Sequence, residues 1–214
     1  MSFSRFVPLL LAATLLVAGC TAPPEPDNPG GVVVSDEGNT SGYAGTKLDA
    51  PYEVPDAVFT DASGQSYNLR TSPSKPVTLI FFGYTNCPDV CIGVLSDMAM
   101  ALKRTDPQVR DQITVVFVTT DPARDKPEVI KDYLDRFDPS FVGLTSDLDT
   151  IKGAASRLGV GVEGMKKLPS GGYEVGHGAQ VVGVDSSDRG VVVWTPGTPV
   201  GDLKADYTKL VADA

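Results

Sequence analysis

The stretch PVTLIFFGYTNCPDVCIG, residues 76 to 93, is where the reading of this chain turns. It opens as a continuous apolar run rich in strand formers. A run without alternation is the pattern of a central strand buried on both faces. It then stops at two cysteines four residues apart, Cys87 and Cys91. Pro88 suits the first position of a helix, where its missing N–H costs nothing, and this makes Cys87 the expected N-cap. Beyond it Cys91, Leu95, Met98 and Leu102 recur at helical spacing and form one face.

On either side, strand and helix patterns alternate. PDAVFTDASGQSYNL reads as a hairpin turning at Ser63-Gly64. ITVVFVTTD is a second strand. KPEVIKDYLDRF is a helix with Val129, Ile130, Tyr133, Leu134 and Phe137 as its apolar stripe. FVGLT is a short strand, and SDLDTIKGAASRLG is a helix capped by Ser146 and stopped at Gly159. GYEVGHGAQVVGVDSSDRGVVVWT gives two strands about a turn at Ser186 to Gly190. A last helix carries Val200, Leu203, Tyr207 and Leu210 on one face. This order predicts an α/β fold, a central mixed sheet with helices on both faces and an N-terminal hairpin. A strand, a cysteine-bearing helix start and a late antiparallel hairpin resemble the thioredoxin fold. Ligands of open α/β sheets sit beyond the carboxyl ends of strands, which is where Cys87 and Cys91 fall.

The 214 residues suggest one domain plus extensions. A net charge of −9 excludes nucleic acid as a partner, because phosphate binding needs a basic patch. Residues 1–19 read as an export signal: Arg5, then an apolar stretch too short to span a bilayer. Leu16-Val17-Ala18-Gly19-Cys20 resembles the lipobox of bacterial lipoproteins, in which the cysteine becomes the first residue and carries lipid. Two acyl chains give durable attachment. The expectation is a protein held at the extracytoplasmic face of the cell membrane. Residues 20–51, rich in proline and glycine, read as a flexible tether, and 52–214 as the folded domain.

With Cys20 assigned to lipid, two of the three cysteines remain, in a compartment that permits disulfides. A bridge across so short a loop removes little unfolded-state entropy, and the spacing is not C-x-x-C. A thiol at a helix N-terminus is favoured as thiolate by the dipole and by unpaired N–H groups. Thiolate is both a nucleophile and a metal ligand, so redox and metal chemistry both stay open. Soft thiolates select ions such as Cu(I), and imidazole also suits copper. The single histidine, His177, lies just before or at the start of a hairpin strand between Gly176 and Gly178. A lone histidine is more often a bystander than a ligand. Met98 reads as core packing rather than as a soft ligand, and Trp194 as a packed hairpin aromatic.

FFGYTNCPDVC is similar to the metal-site motif of the Sco/SenC family of copper proteins. VTTDPARDKPEVIKDYL, FVGLTSDLDTIKGAASRLGV and the late histidine followed by strand, turn and strand match its further segments, from about Pro55 to Val211. The resemblance implies a thioredoxin-like domain binding Cu(I) or Cu(II) through Cys87, Cys91 and His177. It implies a metallochaperone that delivers copper to, or prepares the thiols of, the dinuclear copper centre of cytochrome c oxidase. The implied partners are the oxidase's copper-site subunit and another copper chaperone. The alternative is an enzyme, a thiol–disulfide oxidoreductase with Cys87 attacking and Cys91 resolving. The chain departs from the family where Ile92 replaces a proline and Gly176 an aspartate. A carboxylate beside a ligand histidine fixes its ring, so Asp121 or Asp125 is a candidate substitute. Asp121, Arg124 and Asp125 read equally well as a loop ion pair capping the next helix.

Overall fold

The computed structural model describes residues 41–88, 90–168 and 172–214, together with Met1. In chain order the elements are β1 (Thr46–Glu53), β2 (Val58–Asp61), β3 (Ser66–Asn68), β4 (Val77–Gly83), α1 (Val90–Arg104), α2 (Pro107–Arg110), β5 (Ile113–Thr119), α3 (Pro127–Leu134), β6 (Val142–Thr145), α4 (Leu148–Arg157), β7 (Val162–Lys167), β8 (Tyr173–His177), β9 (Val181–Val184), β10 (Arg189–Trp194) and α5 (Val200–Asp213).

The apolar run becomes β4, and every one of its residues is buried. It is the centre of an eight-stranded sheet in the order β1-β10-β9-β4-β5-β6-β2-β3. β4 pairs parallel with β5 and antiparallel with β9, and β5 pairs parallel with β6. Successive side chains of a strand point to opposite faces, so one run serves two cores. Val77, Leu79 and Phe81 pack under α1, α3 and α5. Ile80 and Phe82 pack with Ile151, Ala154, Ala155 and Leu158 of and just after α4. Each such side chain taken from water contributes about 1.5–3 kcal/mol.

The helices follow the same logic. α1 buries Cys91, Val94, Leu95, Met98, Ala101 and Leu102. Met98 is in the core, while Met100 is exposed. On α3, Ile130, Tyr133 and Leu134 are buried, but Val129 faces solvent because the helix ends at Leu134 and turns a narrower stripe to the sheet. Asp147 rather than Ser146 caps α4, accepting from Thr150 N at 2.9 Å. Gly159 at φ +68° ends that helical segment, in a conformation that costs glycine least. The N-terminal hairpin forms from β2 and β3 and extends the sheet beside β6.

Three expectations are corrected. First, α1 begins at Val90, so Cys87 is not its N-cap. Cys87 lies in the turn before it, its N–H donating to Tyr84 O at 3.2 Å. Second, the sheet takes in residues assigned to the tether: β1 starts at Thr46 and pairs with β10. Asp206 of α5 secures this segment, accepting from Ala44 N at 3.0 Å, Gly45 N at 2.8 Å and Trp194 Nε1 at 2.7 Å. Trp194 is a buried packing residue, as expected. Third, β7 and β8 form a separate antiparallel ribbon, and His177 ends β8 instead of opening the later hairpin. The export signal, Cys20 and most of the tether fall outside the described residues. Among the described residues no helix is long and apolar enough to cross a membrane.

Candidate metal centre

Two adjacent turns of chain and one distant ribbon bring their donors together. Cys87 comes from the turn after β4, Cys91 from the first turn of α1, and His177 from the end of the ribbon. The two Sγ atoms and a His177 ring nitrogen all lie within 4.8 Å of one another. Cys91 Sγ is 3.5 Å from His177 Nε2. Cys91 is fully buried and Cys87 nearly so, while His177 is half-buried. The two cysteines are not joined in a disulfide.

The imidazole is held on several sides. Its Nδ1 lies 2.9 Å from the carbonyl oxygen of Gly178. A carbonyl only accepts, so the proton sits on Nδ1, and in the neutral ring Nε2 keeps its lone pair toward the sulfurs. Tyr84 and Phe81 contact the ring edge-on, at 5.7 Å and 6.4 Å between centroids. The ribbon that carries it is tied down at its base. Val162 pairs with His177, Gly178 N donates to Gly161 O at 2.8 Å, and Gln180 Nε2 donates to Gly159 O at 2.8 Å.

Gly178's carbonyl therefore does the orienting that a neighbouring carboxylate would otherwise do. Gly176 has its own reason: a Cβ there would stand 2.7 Å from Oε2 of Glu163 on β7. An aspartate at 176 would have to displace the exposed Glu163 side chain, whose carboxylate end lies nearest. Ile92, where the family pattern has proline, is exposed on α1 and meets no obstacle.

Asp121 and Asp125 are both buried, and neither belongs to the three-donor group. Asp125 accepts from Thr85 N at 2.9 Å, Thr85 Oγ1 at 2.6 Å and Thr119 Oγ1 at 2.6 Å. It thus staples the turn that bears Cys87 to the end of β5. It does not cap α3, whose first turn has no side-chain cap. Asp121 pairs with Arg124 and accepts from Tyr173 Oη at 3.0 Å. The Arg124 guanidinium lies 3.8 Å over the Tyr173 ring and 5.8 Å from that of Tyr84. This links the loop after β5 through Tyr84 to the histidine. Asp121 and Arg124 are thus an ion pair, and Asp125 ties Thr85 of the Cys87 turn to Thr119.

The sulfurs have unequal surroundings. The hydrogen bond with Cys87, followed by burial, pushes the Cys91 thiol up, although the backbone N–H groups of Tyr84 and Cys91 pull the other way. The readier ionisation expected of at least one sulfur is therefore not found at Cys91. A dry site and a neighbouring thiol outweigh the helix end.

Two sulfurs and one imidazole, with no carboxylate among them, form a soft donor set. It suits soft or borderline ions and offers nothing to Ca²⁺ or Mg²⁺. A cavity of about 320 Å³ opens elsewhere, where β4 begins, against Arg70, Lys75 and Thr78, and it touches none of the three donors.

The comparisons place this geometry among known proteins. The family described as SCO1/SenC matches residues 46–212. A Stutzerimonas stutzeri protein named for copper binding is 32% identical over 139 residues, 64% of this chain and 67% of its own length. The chain matches only 38% of a yeast mitochondrial relative and 50% of a rickettsial one. Among solved structures, apo Sco1 of Thermus thermophilus aligns with TM-score 0.69 and 32% identity, over 78% of this chain and 96% of that one. Bradyrhizobium japonicum ScoI with copper bound aligns with TM-score 0.64 and 29% identity, over 75% and 98%. The fold shared with these structures is the thioredoxin-like one.

Proposed function

Since the chain belongs to the SCO1/SenC family, we propose that it is a membrane-tethered copper carrier. It binds Cu(I) or Cu(II) through Cys87, Cys91 and His177 and serves the dinuclear copper site of cytochrome c oxidase. The observation that carries this reading is the convergence of three soft donors within 4.8 Å from three separate elements. Dithiol exchange needs no imidazole brought across from a ribbon. The copper-bound ScoI relative supports the choice of ion. The domain layout goes with it: a signal over 1–19, a lipid on Cys20, a tether ending before Thr46, and a folded cargo domain from there on.

The residues have separate parts. The Cys91 thiol, raised by its hydrogen bond to Cys87 and by burial, keeps its proton in the metal-free protein. Loading displaces thiol protons, so binding is coupled to proton release. His177 supplies Nε2 with its tautomer already fixed by Gly178, so little reorientation is required. Half-exposure of that ring leaves one side of the site open to a partner, while the cysteines stay covered.

A second reading is favoured by one observation, the hydrogen bond between the two sulfurs. Adjacent thiols outside a disulfide suit dithiol–disulfide exchange, with Cys87 attacking a partner's disulfide and Cys91 resolving the mixed disulfide. The variants separate the two. In cells lacking the native protein, Cys87→Ser and His177→Ala should both abolish oxidase copper insertion. Full insertion with His177→Ala but none with Cys87→Ser would overturn the carrier and leave exchange.

A further inference from the structure

The ribbon that carries His177 stands apart from the main sheet. Among the described residues β7 and β8 pair only with each other. β7 is exposed along nearly all its length. A lone two-stranded hairpin is marginal in water, so this one needs anchorage from outside itself. The end near His177 has it, through the N–H of Gly178 and the side-chain amide of Gln180. Alternate side chains of a strand share a face, which puts Tyr173, Val175 and His177 on one side of β8. Val175 is buried in the same core as the two cysteines, and the His177 ring meets Tyr84 and Phe81.

Tyr173 is the contact at the far end, about 13 Å along the strand from the histidine. Its hydroxyl donates to the Asp121 carboxylate, at 3.0 Å and 3.2 Å from the two oxygens. The Arg124 guanidinium lies 3.8 Å over its ring, and Arg124 Nη2 donates to its carbonyl oxygen at 3.5 Å. The groups that grip it are themselves fixed. Asp121 is buried and ion-paired with Arg124. The Asp121 N–H donates to Thr119 Oγ1 at 2.9 Å, and its carbonyl accepts from Asp125 N at 2.9 Å. A phenol on a buried carboxylate and a guanidinium over an aromatic face are the strong forms of their kind. Tyr173 itself is only partly buried, and the eight-stranded sheet is complete without it.

Resting on the copper reading above, we infer that Tyr173, gripped by Asp121 and Arg124, is a positioning residue that keeps the His177 ribbon closed over the sulfurs and thereby sets the balance between Cu(II) and Cu(I). Two thiolates satisfy Cu(I), whereas Cu(II) depends on the imidazole. Apparent affinity scales with the fraction of the protein in its binding-competent state. A ribbon released at Tyr173 spends less time with its imidazole in place, and Cu(II) suffers first.

Tyr173→Phe and Tyr173→Leu test this in the full chain. Phenylalanine keeps the ring under Arg124 and loses the hydroxyl, and leucine loses both. In the metal-free protein, hydrogen exchange at the ribbon amides, 162–167 and 173–177, should quicken about tenfold in Tyr173→Leu and less in Tyr173→Phe, with β4 and β9 unchanged. With copper alone as the probe, the Cu(II) affinity of Tyr173→Leu should fall about tenfold and its Cu(I) affinity by less than about threefold. Nitrogen coupling in the electron paramagnetic resonance spectrum of the Cu(II) form should weaken in the same order of variants. A general packing defect produces no such ion-selective loss. Unchanged ribbon exchange in Tyr173→Leu, or equal loss of the two ions, overturns the inference about Tyr173 alone. Faster exchange throughout β4 and β9 also overturns it, because the residue then holds the fold and not the ribbon. Wild-type protein that takes up no copper overturns this inference together with the carrier reading.

Discussion

Asp125→Ala removes the staple between the Cys87 turn and β5. Asp125 is fully buried and accepts three hydrogen bonds, two from Thr85 and one from Thr119. A hydrogen bond to a charged group is worth about 1.5–3 kcal/mol net, and an orphaned buried donor costs about 1–3 kcal/mol. Thr85 is half-exposed, so its two donors recover much of their loss from water. Thr119 is fully buried, and its hydroxyl is left without an acceptor. The two contributions give a loss of about 3–4 kcal/mol. With a urea dependence of about 2 kcal/mol/M, the midpoint should fall by about 1.5–2 M. Asp125→Asn keeps one acceptor oxygen and should lose roughly half as much. Copper affinity should fall with the loosened turn, about tenfold if ordering it costs about 1.4 kcal/mol. The measurement is equilibrium urea unfolding of the metal-free chain, followed by chelator competition. A midpoint for Asp125→Ala within about 0.3 M of wild type, on the same slope scale, would refute the claim that Asp125 secures the turn.

Other variants probe the site from different directions. His177→Ala should lose Cu(II) before Cu(I), because two thiolates satisfy the softer ion; equal retention of both ions counts against the imidazole as a ligand. Gly176→Asp should weaken the ribbon and lower copper affinity, since its Cβ meets Glu163 at 2.7 Å and two carboxylates then face each other; tighter binding by this variant contradicts the account of Gly178 as the orienting group. Asp121→Ala frees Arg124 and Tyr173 and should weaken copper binding without unfolding the protein; no change in affinity removes Asp121 from the site's support. Apparent Cu(I) affinity should rise with pH. The Cys91 thiol is raised in the metal-free protein, so at neutral pH loading must displace its proton, and each proton released adds about a tenfold gain per pH unit. Isothermal titrations at several pH values in buffers of known protonation enthalpy check the slope, and a flat profile is the adverse result.

The parts of the molecule legible from sequence are those whose signal is local. β4 declares itself because both its faces are buried, and α1 because Cys91, Leu95, Met98 and Leu102 share a stripe. The cysteine pair stood out by its place at a strand end. His177 was named because the chain has one histidine and because of a family resemblance; nothing in GYEVGHGAQ shows where its ring points. The ribbon that aims it was missed, since β7 is exposed along nearly all its length and carries no apolar alternation. The first six residues of β1, 46–51, read as tether for a related reason: the partner strand, β10, lies more than a hundred residues away. The roles of Asp125 and Asp206 are equally non-local. Each carboxylate is explained by donors from distant segments, Thr85 and Thr119 for one, Ala44, Gly45 and Trp194 for the other. The cap assignment at Cys87 failed because a turn closed by Tyr84 O precedes the helix, and proline fits such a turn as well as a first helical position.

X-ray absorption at the copper edge of the reduced, Cu(I)-loaded chain tests the three-donor site most directly. One copper per chain with two sulfur neighbours and one nitrogen, the nitrogen lost in His177→Ala, is the expected result. A two-sulfur environment that His177→Ala leaves unchanged would contradict it.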